Sequence, residues 1–204
     1  LKSPIIFSQQ LHKAEVLNSS QREEVKNLIK SFIRNNPELI VESVQKMREK
    51  SQNQISNSHK KNIKKYKKLI FYDPQTPIIG NPNGDITIVE FFDYNCGYCK
   101  RMFAPIMQML AANGDVRLVV KEFPILSQSS VTAAKAGIAA QKQGKFRSFH
   151  TEMMTYRGQI NDASIMQAAG AAGLDLAQLK QDMDSPETTA IIGRTRSAAA
   201  ALNI

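Results

Sequence analysis

Apolar residues in the first quarter of the chain recur at helical spacing. Val25, Leu28, Ile29, Phe32 and Ile33 stand at i, i+3, i+4, i+7 and i+8, one stripe of an amphipathic helix. Ser19-Ser20-Gln21-Arg22-Glu23 offers a serine cap and acidic character at its start. Asn35-Asn36-Pro37 breaks the pattern, and Pro37 suits the first position of a second helix, whose apolar face runs through Leu39, Ile40, Val44 and Met47. The polar stretch 48–68 reads either as a flexible linker or as a long exposed helix. After it the pattern changes. Residues 69–72 form a short strand candidate, 86–92 a strand rich in β-branched and aromatic residues, and 115–123 a further strand. Asp73-Pro74 and Asn81-Pro82-Asn83-Gly84-Asp85 mark turns. A helix over 100–110 lies between the two longer strands, which makes them parallel neighbours, and Pro105 is expected to kink it. From Ser130 the chain is alanine-rich, with helices expected at 131–143, 145–156, 163–171, 176–183 and 186–202.

Composition adds one feature to this α/β picture. The 204 residues carry a formal net charge of +9, but the excess sits in one segment. Lys46, Arg48, Lys50, Lys60, Lys61, Lys64, Lys65, Lys67 and Lys68 are opposed there by Glu49 alone. Such a run reads as a solvated linker or helix face, and nucleic-acid binding is not expected from it. No apolar run is long enough to span a membrane. Leu1-Lys2-Ser3-Pro4 does not open a signal peptide.

The chemistry centres on the only two cysteines, Cys96 and Cys99, in Cys-Gly-Tyr-Cys between the 86–92 strand and the helix that follows. Two residues of separation in a first helical turn let the sulfurs reach disulfide distance. Backbone N–H groups without helical partners, and the helix dipole, favour an anionic sulfur at the first position. Cys96 is therefore the expected nucleophile and Cys99 the resolving thiol. A structural disulfide gains little from so short a loop, and a metal site lacks further ligands at suitable spacing. Gly97 and Tyr98, between the cysteines, are expected to modulate reactivity. Lys100 and Arg101 are exposed and perturb it only weakly. Glu90 either lies buried beneath the pair, relaying a proton to the resolving thiol, or pairs at the edge with a lysine such as Lys121. His12, His59 and His150 receive no role.

Glu90-Phe91-Phe92-Asp93-Tyr94-x-Cys96-x-Tyr98-Cys99-Lys100 resembles the motif of DsbA-like thiol–disulfide oxidoreductases, of DsbA, Com1 and ScsC type. The Gly-Tyr dipeptide is similar to that of DsbC isomerases. The resemblance implies a thioredoxin-like fold with a helical insertion over 69–204, an acidic residue at Glu90 and no cofactor. It also implies a periplasmic enzyme acting on misfolded or reduced exported proteins, as an isomerase or mixed oxidase and isomerase, served by a membrane redox partner of DsbB or DsbD type. Residues 1–47 are then a helical region that makes a homo-oligomer, dimer or trimer, joined by 48–68. Alternatives are a monomeric DsbA-type oxidase and a copper-handling ScsC-like thiol protein. Proteins of this kind carry a cis-proline loop and further strands after the insertion. No proline follows Pro186, so both are expected to be missing from residues 1–204.

Overall fold

The computed structural model describes residues 17–204, which divide into two units between Asn57 and Ser58. The part of the expected oligomerisation region at 1–16 lies outside the described residues.

In the first unit, α1 spans Ser19–Asn35. Asn18, not a serine, caps it. Its side chain accepts from the Gln21 N–H, and Gln21 reaches back to the Asn18 N–H, a reciprocal capping box. Pro37 opens α2, which runs Pro37–Lys65, so the 48–68 stretch is helical through Lys65 rather than a loose linker. Neither α1 nor α2 buries a side chain among the described residues, and Leu28, Phe32, Val41 and Met47 are all more than half exposed.

In the second unit, the segment expected as a strand at 69–72 is instead a single helical turn, α3 (Lys67–Phe71). The reason is tertiary. Lys121 Nζ donates to the Leu69 carbonyl at 2.7 Å and Arg117 Nη2 to the Phe71 carbonyl at 2.7 Å, which satisfies the acceptors a helix end leaves open. Ile70 is buried in exchange. The sheet has three strands, β1 (Ile78–Gly80), β2 (Ile86–Phe92) and β3 (Val116–Glu122), in the order β1-β3-β2. β1, too short to show in the hydrophobic pattern, runs antiparallel to β3, and Gly80 leaves it with φ +87°, a conformation that suits glycine. β2 and β3 are parallel, as the crossover helix requires, with Phe92 paired to Glu122. Every residue of β3 is buried.

The crossover helix α4 spans Gly97–Ala112 and continues through Pro105. Five helices follow: α5 (Gln128–Lys142), α6 (Phe146–Thr155), α7 (Asp162–Ala171), α8 (Leu176–Met183) and α9 (Pro186–Ala201). Ser127, Asn161, Asp175 and Ser185 cap α5, α7, α8 and α9 through their side chains. α5 is the hub. Ala133, Ala136, Gly137, Ala139 and Ala140 are buried, and these small side chains let α6, α7, α8 and α9 pack against it. One continuous core joins the sheet, α4 and α5 to α8, through Phe92, Phe103, Phe146, Phe149, Met153 and Ile165, and Ile191 and Ile192 of α9 form a second cluster with Ala134 and Ile138 of α5.

Candidate active site at Cys96 and Cys99

The redox pair is set by the junction of β2 and α4. Asp93, the first residue past β2, is 5% exposed and organises the turn. Its Oδ1 accepts from the Asn95 N–H at 2.8 Å, and its Oδ2 accepts from the Ile125 and Leu126 N–H groups at 2.9 and 3.0 Å. Its carbonyl accepts from the Cys96 N–H at 2.9 Å. One side chain thus fixes both the turn that carries Cys96 and the loop after β3. Sequence reading missed Asp93, although a charged residue straight after an apolar strand was the available signal.

Cys96 is the N-cap of α4, with extended backbone, and its Sγ accepts from the Cys99 N–H at 3.3 Å. That is the geometry expected of a nucleophile at a helix start. Both cysteines are free and half-buried. Cys99 differs from Cys96 in its surroundings: burial first, then the hydrogen bond with Cys96 and the charges of Cys96 and Glu90, push its thiol up to about 11, while the Asp93 backbone N–H opposes the shift. Gly97 and Tyr98 occupy the first two positions of α4, and Tyr98 is 77% exposed.

Glu90 lies on β2, half-buried, and burial raises its carboxyl above the usual range. Its charge acts on Cys99. The competing expectation, an ion pair with Lys121, does not hold. Lys121 Nζ is engaged by the Leu69 carbonyl and by Thr76 Oγ1 at 2.8 Å. Met102 is 52% exposed on α4 one turn after the motif.

Residues 87–204 match the family described as the DSBA-like thioredoxin domain. The chain belongs to this family. Its fold is that of a DsbA-like thiol–disulfide oxidoreductase, and the Cys-x-x-Cys pair stands at the β2–α4 junction. A thioredoxin-like oxidoreductase from Silicibacter pomeroyi is 44% identical, with a TM-score of 0.65 over 67% of this chain and 79% of that one. The thiol–disulfide exchange protein alpha-DsbA2 from Wolbachia pipientis is 28% identical, with a TM-score of 0.67 over 72% and 81%. A ScsC variant from Proteus mirabilis, at 22% identity, shares the fold with a TM-score of 0.67 over 94% of this chain and 84% of that one. Among curated relatives, the Na(+)/H(+) antiporter NhaA 1 of Mycolicibacterium gilvum is 32% identical over 115 residues. The match spans 54% of this chain and only 19% of that relative. Among the described residues, no helix is long and apolar enough to cross a membrane, and no cluster of three or more metal-ligating side chains occurs.

Behind the DsbA-like motif lies a buried polar chain that the sequence did not announce. Tyr94 Oη lies 3.1 Å from Glu122 Oε1 and 3.3 Å from His150 Nδ1. Phe92, Phe103 and Phe146 enclose the His150 ring at centroid distances of 4.8, 5.4 and 5.1 Å. Burial holds His150 down at about 3 and holds Glu122 well above the usual carboxylate range. Burial thus favours the uncharged form of both groups, as a low-dielectric site demands. It joins β2, β3, α4 and α6 directly behind the redox turn.

Proposed function

We propose that the chain catalyses thiol–disulfide exchange on exported proteins in the periplasm, as a disulfide isomerase or a mixed oxidase and isomerase. The observation that carries this reading is the inequality of the two cysteines: Cys96 at the helix start with a donor on its sulfur, and Cys99 a half-buried thiol pushed up to about 11.

The Cys96 thiolate attacks one sulfur of a substrate disulfide. A Cys96–substrate disulfide forms and the other substrate sulfur leaves as a thiolate. Two exits follow. A second substrate thiolate attacks the bonded substrate sulfur and releases Cys96, which is isomerisation with no net redox change. Alternatively Cys99 attacks Cys96 Sγ, the substrate sulfur leaves reduced, and the Cys96–Cys99 disulfide remains. For that step Cys99 must lose its proton. Glu90, a carboxyl kept basic by burial and coupled to Cys99 through its charge, is the proton acceptor. Substrate oxidation runs the same steps backward from the oxidised pair. Gly97 and Tyr98 shape access to the sulfurs. Turnover needs an electron-transfer partner, a membrane redox protein of DsbB or DsbD type.

The apolar residues of α1 and α2, exposed among the described residues, support self-association through the N-terminal helices, as a dimer or trimer. An assembly holding several redox sites suits isomerisation, because a misfolded substrate can be engaged at more than one disulfide.

Reactivation of scrambled ribonuclease tests the reading, with Cys96→Ser as control and the oligomeric state measured on the same sample. Reactivation that depends on Cys96 and comes from an oligomer is expected. Oxidation of reduced ribonuclease by a monomer, without reactivation of the scrambled form, would replace isomerase by a DsbA-type oxidase.

A further inference from the structure

Three cations gather beside the redox pair without a carboxylate partner. Arg101 turns back over the Cys-x-x-Cys dipeptide: its guanidinium carbon lies 4.2 Å from the Tyr98 ring centroid. Its Nη1 would stand 3.6 Å from a Cβ placed on Gly97, the residue bonded to Cys96. Lys100 is fixed on its own account. Its Nζ donates to the Tyr156 carbonyl at 2.7 Å and sits 5.8 Å from the Tyr156 ring centroid. Arg157 follows Tyr156; burial first, and then the Arg157 charge, lowers the Lys100 ammonium. None of the three forms an ion pair within the described residues.

The carboxyl groups of the motif pair with none of them. Glu90 forms no ion pair among the described residues, and Asp93 is buried with its two oxygens directed to backbone N–H groups. Around this cationic rim lie exposed apolar side chains: Tyr98 and Met102 on α4, and Ile125 and Leu126 on the loop held by Asp93.

We propose that Arg101, Lys100 and Arg157 form a cationic collar that selects substrate disulfides flanked by acidic residues. The inference rests on the exchange reaction proposed above and names its substrate class. Arg101 is the specificity-determining residue. Stacking on Tyr98 favours the orientation in which its planar fork stands beside the redox pair, placed to receive a carboxylate. Lys100, tethered to Tyr156, and Arg157 supply charge on the side of the α6 end. The collar acts on the flanks of the substrate disulfide and leaves the sulfur chemistry to Cys96. Because Arg101 and Arg157 are exposed and Lys100 is only half-buried, each contributes modestly and the preference is screened by salt.

The test uses three synthetic disulfides reduced by the full chain under excess dithiol: a peptide pair with Asp and Glu around the cystine, the same pair with Lys and Arg, and the uncharged bis(2-hydroxyethyl) disulfide. The acidic peptide is expected to react roughly three- to tenfold faster than the basic one at low ionic strength, with the gap closing at 0.5 M salt. Arg101→Gln and Arg157→Gln are each expected to remove most of the gap between the two peptides. Equal rates for the two peptides, or faster reaction of the basic one, would overturn the collar and leave the exchange reaction intact. A gap that survives both substitutions would equally remove these residues from the role. Failure to reduce any of the three disulfides would strike at the exchange reaction itself.

Discussion

The backbone N–H of Cys99 lies 3.3 Å from Cys96 Sγ. Three residues of one helical turn thus place a donor on the nucleophile, and the donor belongs to the residue whose thiol must later attack it. The same turn half-buries the Cys99 side chain, and that burial is the first cause of the high pKa that slows its own attack. The isomerisation proposed above needs a mixed disulfide at Cys96 that lasts long enough for a substrate thiol to compete with Cys99.

The proton-relay role proposed for Glu90 bears on how fast that competition ends. Glu90→Gln removes this proposed acceptor for Cys99. Resolution of a preformed Cys96 mixed disulfide is expected to slow roughly ten- to hundredfold at pH 7, with the attack of Cys96 nearly unchanged. Stopped-flow release of a chromogenic thiol separates the two steps. The slow step should recover at high pH, where Cys99 ionises without help.

The buried His150 makes the fold acid-sensitive. Its folded value is about 3 against an ordinary 6.5, so between those limits the unfolded chain binds a proton that the folded chain does not. Stability from this group is full above about pH 6.5 and falls as pH drops toward 3. Glu122 acts oppositely. Its carboxyl is raised, so it favours the folded state at low pH and loses that advantage as pH rises above the ordinary carboxylate value. Glu122→Gln isolates the histidine: its urea midpoint is expected to fall steadily from pH 6.5 to 4, more steeply than in a Glu122→Gln, His150→Phe double variant. Equal slopes would contradict the assignment.

Gly137 is a packing glycine. A Cβ there would stand 2.1 Å from Glu122 Oε1 and 3.0 Å from Tyr94 Oη. Gly137→Ala is expected to cost about 1–3 kcal/mol and lower Tm by several degrees, measured by thermal unfolding. Gly170→Ala, with nothing within 4 Å, serves as the control that stays near the parent value.

The strongest local patterns carried the sequence reading furthest. β2, β3, their parallel pairing, α4 and the five alanine-rich helices were legible because period and capping residues agreed. Leu176–Met183 was met to the residue. The motif marked Cys96 and Cys99 by itself. What failed was set by distant partners. Leu69-Ile70-Phe71 reads as strand until Lys121 and Arg117 of β3 cap its carbonyls. β1 has three residues and no periodicity to detect. Asp93, Glu122 and His150 gain their places from contacts up to 56 residues away in sequence. No local pattern encodes such contacts.

The N-terminal helices carry a separable prediction. Phe32, 58% exposed on α1, is expected to lie in the interface between copies. Phe32→Asp should shift light-scattering mass to that of one chain and lower reactivation of scrambled ribonuclease, while leaving reduction of a small disulfide at the parent rate. An unchanged mass would remove α1 from self-association.

The most direct measurement traps the first intermediate. Cys99→Ser is incubated with a disulfide-containing protein, quenched in acid and digested, and the linked peptides are read by mass spectrometry. A substrate disulfide to Cys96 is expected in Cys99→Ser, and none to Cys99 in the matching Cys96→Ser sample. Attachment at Cys99 in Cys96→Ser, with none at Cys96, would contradict the division of roles on which the account stands.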